Sequence, residues 1–168
     1  MDNRKEFFML KALTQAKLAL KHNEVPVGAV VVDKHGNVIA RAYNQIEKQH
    51  CQCAHAEALA IRKACKKIDG WRLNGCWLYV TLEPCLMCMG LIQLSRLEGV
   101  IYGAQSPLFG VSLYNEAKLP PYAKDIHIEG GIKEHESKLL LQRFFSNVRQ
   151  KRKVSSETEN RSTRKNKK

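Results

Sequence analysis

Residues 78–104 read LYVTLEPCLMCMGLIQLSRLEGVIYGA. The first five are β-branched or otherwise apolar and extend a strand that begins at Cys76 (76–82). From Cys85 to about Ser95 the composition is helical, and Pro84 sits where the helix begins, which suits its fixed φ. VIYGA (100–104) is a strand again. Strand, helix and strand joined this closely form a right-handed parallel crossover, so the chain belongs to the α/β class.

The rest of the chain fits around that unit. Residues 3–22 read as an amphipathic helix with Phe7, Leu10, Leu13, Ala16 and Leu20 on one face and Asp2 or Asn3 as cap. VGAVVVDK (27–34) is a buried strand, His35-Gly36-Asn37 a turn, and VIARAYN (38–44) its antiparallel return. Residues 54–67, AHAEALAIRKACKK, form a helix with lysines near its C-terminus. Residues 105–124 are rich in loop signals, DIHIE (125–129) alternates like a half-exposed strand, and a long helix spans about 132–150. The expected architecture is a three-layer α/β/α sandwich around a mixed sheet of about five strands. The expected division is one domain over 1–150 and a basic, disordered tail over 151–168.

Composition narrows the function classes. The 168 residues are 44% hydrophobic, and no apolar run approaches the ~20 residues a membrane helix needs. The N-terminal residues carry charges where a secretory segment would be apolar, so a cytoplasmic protein is expected. The net charge is +12, with nine Lys/Arg and two Glu in residues 149–168, so the body is only mildly basic. A basic chain favours a polyanionic partner, while a tail that merely aids solubility reads the same way. There is no GxGxxG and no GxxxxGK, so nucleotide-cofactor readings have no motif support. The six cysteines lack scaffold spacing, and reduced thiols are expected.

Cys85 and Cys88 stand three apart, which fits a piece of core, a redox pair or half of a metal site. At a helix start both sulfurs face one way, and the helix N-terminus favours the thiolates that bind metals. A catalytic zinc site keeps three protein ligands and one open position. Of the six histidines, only His55 opens a predicted helix after a strand, as Cys85 does. Helix starts at the carboxyl ends of neighbouring strands converge on one crevice, so His55, Cys85 and Cys88 can meet there. Glu57 follows His55 by two. Alone it would merely suit the helix dipole. Beside a metal it can move protons for a hydrolysis. His127-Ile128-Glu129 repeats the H-x-E spacing in a strand and is read as surface. Cys51 and Cys53 are read as ordinary loop thiols.

His55-Ala56-Glu57 followed by Pro84-Cys85-x-x-Cys88 resembles the zinc-dependent cytidine/adenosine deaminase superfamily. EVPVGAV (24–30), Tyr43-Asn44, AHAEALA (54–60), LYVTLEPCLMC (78–88), VIYGA (100–104) and Phe144-Phe145 before basic residues are similar to its tRNA-specific adenosine deaminase branch. The resemblance covers roughly residues 5–150. It implies hydrolysis of adenosine to inosine at the wobble position of a tRNA anticodon. It implies Zn²⁺ held by His55, Cys85 and Cys88, attack of the activated water at C6, and Glu57 as proton shuttle. By the same resemblance, the Ala56 N–H and the Asn44 side chain position the base, Val25 and Pro26 wall the pocket, and the protein is a homodimer that binds a tRNA anticodon stem-loop. A free nucleobase or nucleoside deaminase, acting on guanine or cytosine, is the alternative within the same chemistry. An inactive, zinc-stabilised RNA-binding subunit is the alternative outside it. Two departures bear on substrate contacts: Ser106 stands where the family's bacterial members usually have Asp, and Ser146, Asn147 and Val148 separate the phenylalanines from the basic cluster.

Overall fold

The computed structural model describes residues 3–113 and 126–165, with the backbone alone over 154–165. The elements are α1 (Asn3–Lys21), β1 (Gly28–Val32), β2 (Val38–Tyr43), α2 (Ile46–Gln49), α3 (Ala56–Ile68), β3 (Trp77–Leu82), α4 (Leu86–Leu94), β4 (Gly99–Ala104), β5 (His127–Glu129) and α5 (Glu134–Lys165). They build one five-stranded sheet in the order β2-β1-β3-β4-β5. β1 runs antiparallel to both β2 and β3, whereas β3–β4 and β4–β5 are parallel. The mixed sheet and the parallel β3–α4–β4 unit are as expected from residues 78–104.

Side chains alternate across the sheet and give two cores. Ala29, Val31, Leu78, Val80 and Val100 face α3 and α4, where they pack with Leu59, Ala60, Met89 and Ile92. Val30, Val32, Tyr79 and Ile101 face the other way, against Phe8, Met9, Ala12, Leu13 and Ala16 of α1 and Leu140 of α5. Helices therefore cover both faces, and α3 and α4 share one layer.

Helix α1 buries Leu13 and Ala16 of the expected stripe but turns its first part differently. Phe8, Met9, Ala12, Leu13, Ala16 and Ala19 are buried, while Phe7 and Leu10 stay 51% and 49% exposed. The reason is close approach. A Cβ on Gly28 would lie 2.1 Å from the Ala12 carbonyl oxygen and 2.3 Å from the Ala16 nitrogen. The helix backbone thus rests on a bare position of β1, and its alanines face the sheet.

The expected end of the last helix is also corrected. Helix α5 does not end near residue 150 but continues through Lys165. No Gly or Pro follows Gly131, and Lys, Arg, Gln and Glu are good helix formers. Strand β5 starts at His127, within the expected 125–129. Of the expected loop over 105–124, residues 114–124 lie outside the described residues, as do Asp2 and the last residues of the tail. Among the described residues no helix is long and apolar enough to cross a membrane.

Candidate metal centre

Two strands end and two helices begin beside one another. His55 is the N-cap of α3, at φ −65° and ψ 149°, and Cys85 is the N-cap of α4, at φ −76° and ψ 170°. Neither side chain makes a capping hydrogen bond, so both are free to point elsewhere. Pro84 lies one residue before the N-cap rather than on the first turn of the helix. Its rigid ring still fixes the path into Cys85.

The His55 Nδ1 lies 3.4 Å from the Cys88 Sγ and 3.8 Å from the Cys85 Sγ. All three ligand atoms fall within 4.8 Å of one another. Zinc bonds of about 2.1 Å to nitrogen and 2.3 Å to sulfur, set tetrahedrally, require edges of roughly 3.6–3.8 Å. The donor set fits the ion in kind and in size. The sulfurs also share a proton in a way that a cation would replace. Cys85 is lowered to about 4 by hydrogen bonds from the Cys88 thiol and then from His55. Cys88 is driven far above its ordinary range, first by the same bond to Cys85 and then by burial. Its bond to Cys85 likewise raises His55.

Glu57 is 4% exposed. Burial raises its carboxyl above the usual carboxylate range, against the opposing pull of its own N–H at the helix start and of His55. Its carboxyl also meets the Cys88 thiol. A carboxyl raised in this way, next to the three donors, suits a group that both takes and returns a proton.

The remaining expected residues gather on the same side. Asn44 is 4% exposed, and its N–H donates to the Val27 carbonyl at 3.0 Å. The next N–H, of Gln45, donates to Ala54 at 2.9 Å, which holds 44–45 beside the entry to His55. Ala54 and Ala56 belong to the apolar cluster against which Val25 packs. Pro26 is buried just before β1. Cys51 and Cys53 are exposed and stand outside the ligand group. His127 and Glu129 lie on β5, at the sheet edge, away from the helix starts.

Two buried glutamates had escaped sequence reasoning. Glu83, between Leu82 and Pro84, accepts from the Ser106 N–H at 3.0 Å and the Ser112 N–H at 2.8 Å. The Val111 N–H donates to the Pro84 carbonyl at 3.0 Å. A Cβ on Gly110 would sit 2.1 Å from a Glu83 carboxylate oxygen. The loop after β4 is thus fastened to the turn that carries Cys85. Ser106 keeps a local role there, since its Oγ accepts from the Phe109 N–H at 3.3 Å. Glu24, in the run NEVPV, accepts from the Lys48 and Glu47 N–H groups at 2.8 and 3.2 Å and from the Asn44 amide at 3.4 Å. The only hint in the sequence was a carboxylate beside apolar residues, Val25 and Pro26 in one case and Leu82 and Pro84 in the other.

A family model described as the cytidine and deoxycytidylate deaminase zinc-binding region matches residues 2–104. A tRNA-specific adenosine deaminase of Bacillus subtilis (strain 168) is 43% identical over 152 residues, 89% of this chain and 94% of that one. One from Aquifex aeolicus (strain VF5) is 43% identical over 147 residues, 86% and 96% of the two chains. Among solved structures, one from studies of A-to-I editing by tRNA:A34 deaminases at the wobble position is 39% identical, with a TM-score of 0.75 over 80% of this chain and 99% of that one. A guanine deaminase from Bacillus subtilis is 33% identical, with a TM-score of 0.60 over 85% and 94%.

Proposed function

The chain belongs to the zinc-binding cytidine and deoxycytidylate deaminase family, and from that premise we propose that it hydrolyses adenosine to inosine at the wobble position of a tRNA anticodon. The observation that carries the reading is the trio His55, Cys85 and Cys88 within 4.8 Å, with the buried Glu57 against it.

In this reading His55, Cys85 and Cys88 hold Zn²⁺. The ion, when bound, supplies Lewis acidity that makes water a nucleophile at neutral pH. Glu57 takes a proton from the attacking water and delivers it to the ring nitrogen beside C6. It then carries the remaining proton of that water, from the hydroxyl added at C6, to the amine as the C6–N bond breaks, so adenosine and water become inosine and ammonia. The Ala56 N–H, on the first turn of α3, lacks an intrahelical acceptor by position and is available to the base. Asn44 orients the base, and Val25 and Pro26 wall the pocket. A base in a single-stranded loop leaves its stack at least cost, which suits an anticodon.

Charge supports an RNA partner. Helix α5 carries Arg143, Arg149, Lys151, Arg152 and Lys153. Arg143 and Lys151 border a groove of about 820 Å³ between that helix and the end of α1. The reading includes a homodimer in the cytoplasm, bound to a tRNA anticodon stem-loop. Leu86, Met87 and Leu94, exposed on α4, offer the apolar surface such a dimer needs.

The test is mass spectrometric detection of inosine in a deacylated tRNA bearing a wobble adenosine, with Glu57→Ala as control and free guanine, cytosine and adenosine in parallel. Inosine formed only by the native protein is the expected result. Turnover of a free base alone would instead select the second reading, a nucleobase deaminase, which the likeness to a guanine deaminase favours.

A further inference from the structure

Glu24 is fully buried, 0% exposed, and takes no part in the chemistry above. One of its oxygens accepts from the Lys48 N–H at 2.8 Å. The other accepts from the Glu47 N–H at 3.2 Å and from the Asn44 Nδ2 at 3.4 Å. Gln45, the N-cap of α2, makes no side-chain capping bond, so the donors at the start of that helix turn to Glu24. A carboxylate can only accept. It therefore admits the amide nitrogen of Asn44 and rejects the amide oxygen. The backbone on either side of that amide is pinned as well, by Asn44 to Val27 at 3.0 Å and Gln45 to Ala54 at 2.9 Å.

We propose that Glu24 is a positioning residue: it sets the Asn44 amide so that Oδ1, with one spare N–H beside it, is the face offered to the substrate. The inference rests on the reading of Asn44 as a substrate contact. It adds the chemistry that Asn44 selects: a hydrogen-bond donor opposite Oδ1, such as a ribose hydroxyl or an amine on the purine, with room for an acceptor opposite the spare N–H. Swapping the two functional groups distinguishes this from a purely structural role. Asn44→Asp sets two carboxylates face to face. Glu24→Gln turns an amide toward three donors. In the double variant Glu24→Gln/Asn44→Asp, the glutamine nitrogen can donate to the new carboxylate, whose second oxygen replaces Oδ1.

The experiment measures kcat and KM on an anticodon stem-loop for the native protein, both single variants and the double variant, with bound zinc and unfolding temperature determined for each. A displaced substrate contact costs on the order of 10²-fold in rate. Each single variant is expected to lose about that in kcat/KM while keeping its zinc, and the double variant to regain about tenfold over Asn44→Asp. Additive losses, or native kcat/KM in Glu24→Gln, would overturn the proposal. If the native protein turns over a free base and not RNA, the tRNA reading fails. The same four proteins are then compared on that base, and their coupling still decides the role of Glu24. NMR of the ¹⁵N-labelled protein decides it without turnover. One slowly exchanging Asn44 side-chain N–H is expected in the native protein and none in Glu24→Gln. Fast exchange of both amide protons in the native protein would refute the orientation.

Discussion

Residues 55–57 and 127–129 carry the same His-x-Glu spacing in opposite surroundings. His55 caps α3 and Glu57 lies on its first turn, buried, with its carboxyl raised by loss of water. His127 and Glu129 lie on an edge strand of three residues. Glu129 meets the Lys5 Nζ at 2.8 Å and the His127 Nε2 at 3.3 Å. Its carboxyl is lowered, first by the bond from Lys5 and then by the one from His127. The same carboxyl side chain is thus tuned in opposite directions. The proton affinity comes from where the backbone puts the motif, at a helix start inside a crevice or along a wet strand, and not from the spacing itself.

The sharpest way to break this comparison is to delete both acids. Glu57→Ala is expected to lower turnover by about 10³- to 10⁴-fold with zinc still bound, whereas Glu129→Ala leaves it within about twofold. Equal effects, read by single-turnover assay, would sink the contrast. Next comes the metal. A chelator, or Cys88→Ala, is expected to lower the unfolding temperature by several degrees, because an ion that binds only the folded chain stabilises it by mass action. His127→Ala should leave both zinc content and the chelator effect unchanged. A smaller effect is expected from Gly110→Ala. Its Cβ would collide with the Glu83 carboxylate, and such overpacking costs about 1–3 kcal/mol. Denaturant unfolding measures it, and a neutral result would mean that the loop after β4 can yield. The smallest effect concerns Lys5 and Glu129. Glu129→Gln is expected to cost under about 1 kcal/mol, as partly exposed ion pairs do. Because the folded carboxyl titrates below its unfolded value, that contribution is complete above the unfolded value. It is lost as pH falls through the folded one. The stability gap between native protein and variant should therefore close on acidification below about pH 4.

Much of the fold was legible. Apolar runs between turn residues located the strands, and β3–α4–β4 followed from residues 78–104. The metal trio was legible because helix starts after strands must converge. Three things were not. The buried stripe of α1 depends on Gly28, a contact distant in sequence that periodicity cannot see. Helix α2 is four residues long and leans on Glu24 rather than on its own propensity. The roles of Glu24 and Glu83 were not legible either, since a carboxylate's partners here are backbone N–H groups brought in by tertiary structure.

His55 and Cys85 occupy N-cap positions without capping their helices. Serine, aspartate or asparagine at such a position commonly adds about 0.5–2 kcal/mol over a residue that does not cap. A random search that rewards heat resistance alone would therefore drift toward exchanging both ligands, ending in a sturdier protein with no catalyst in it. Any screen for hardier variants of this chain has to keep turnover in the selection, or fix residues 55 and 85 in advance.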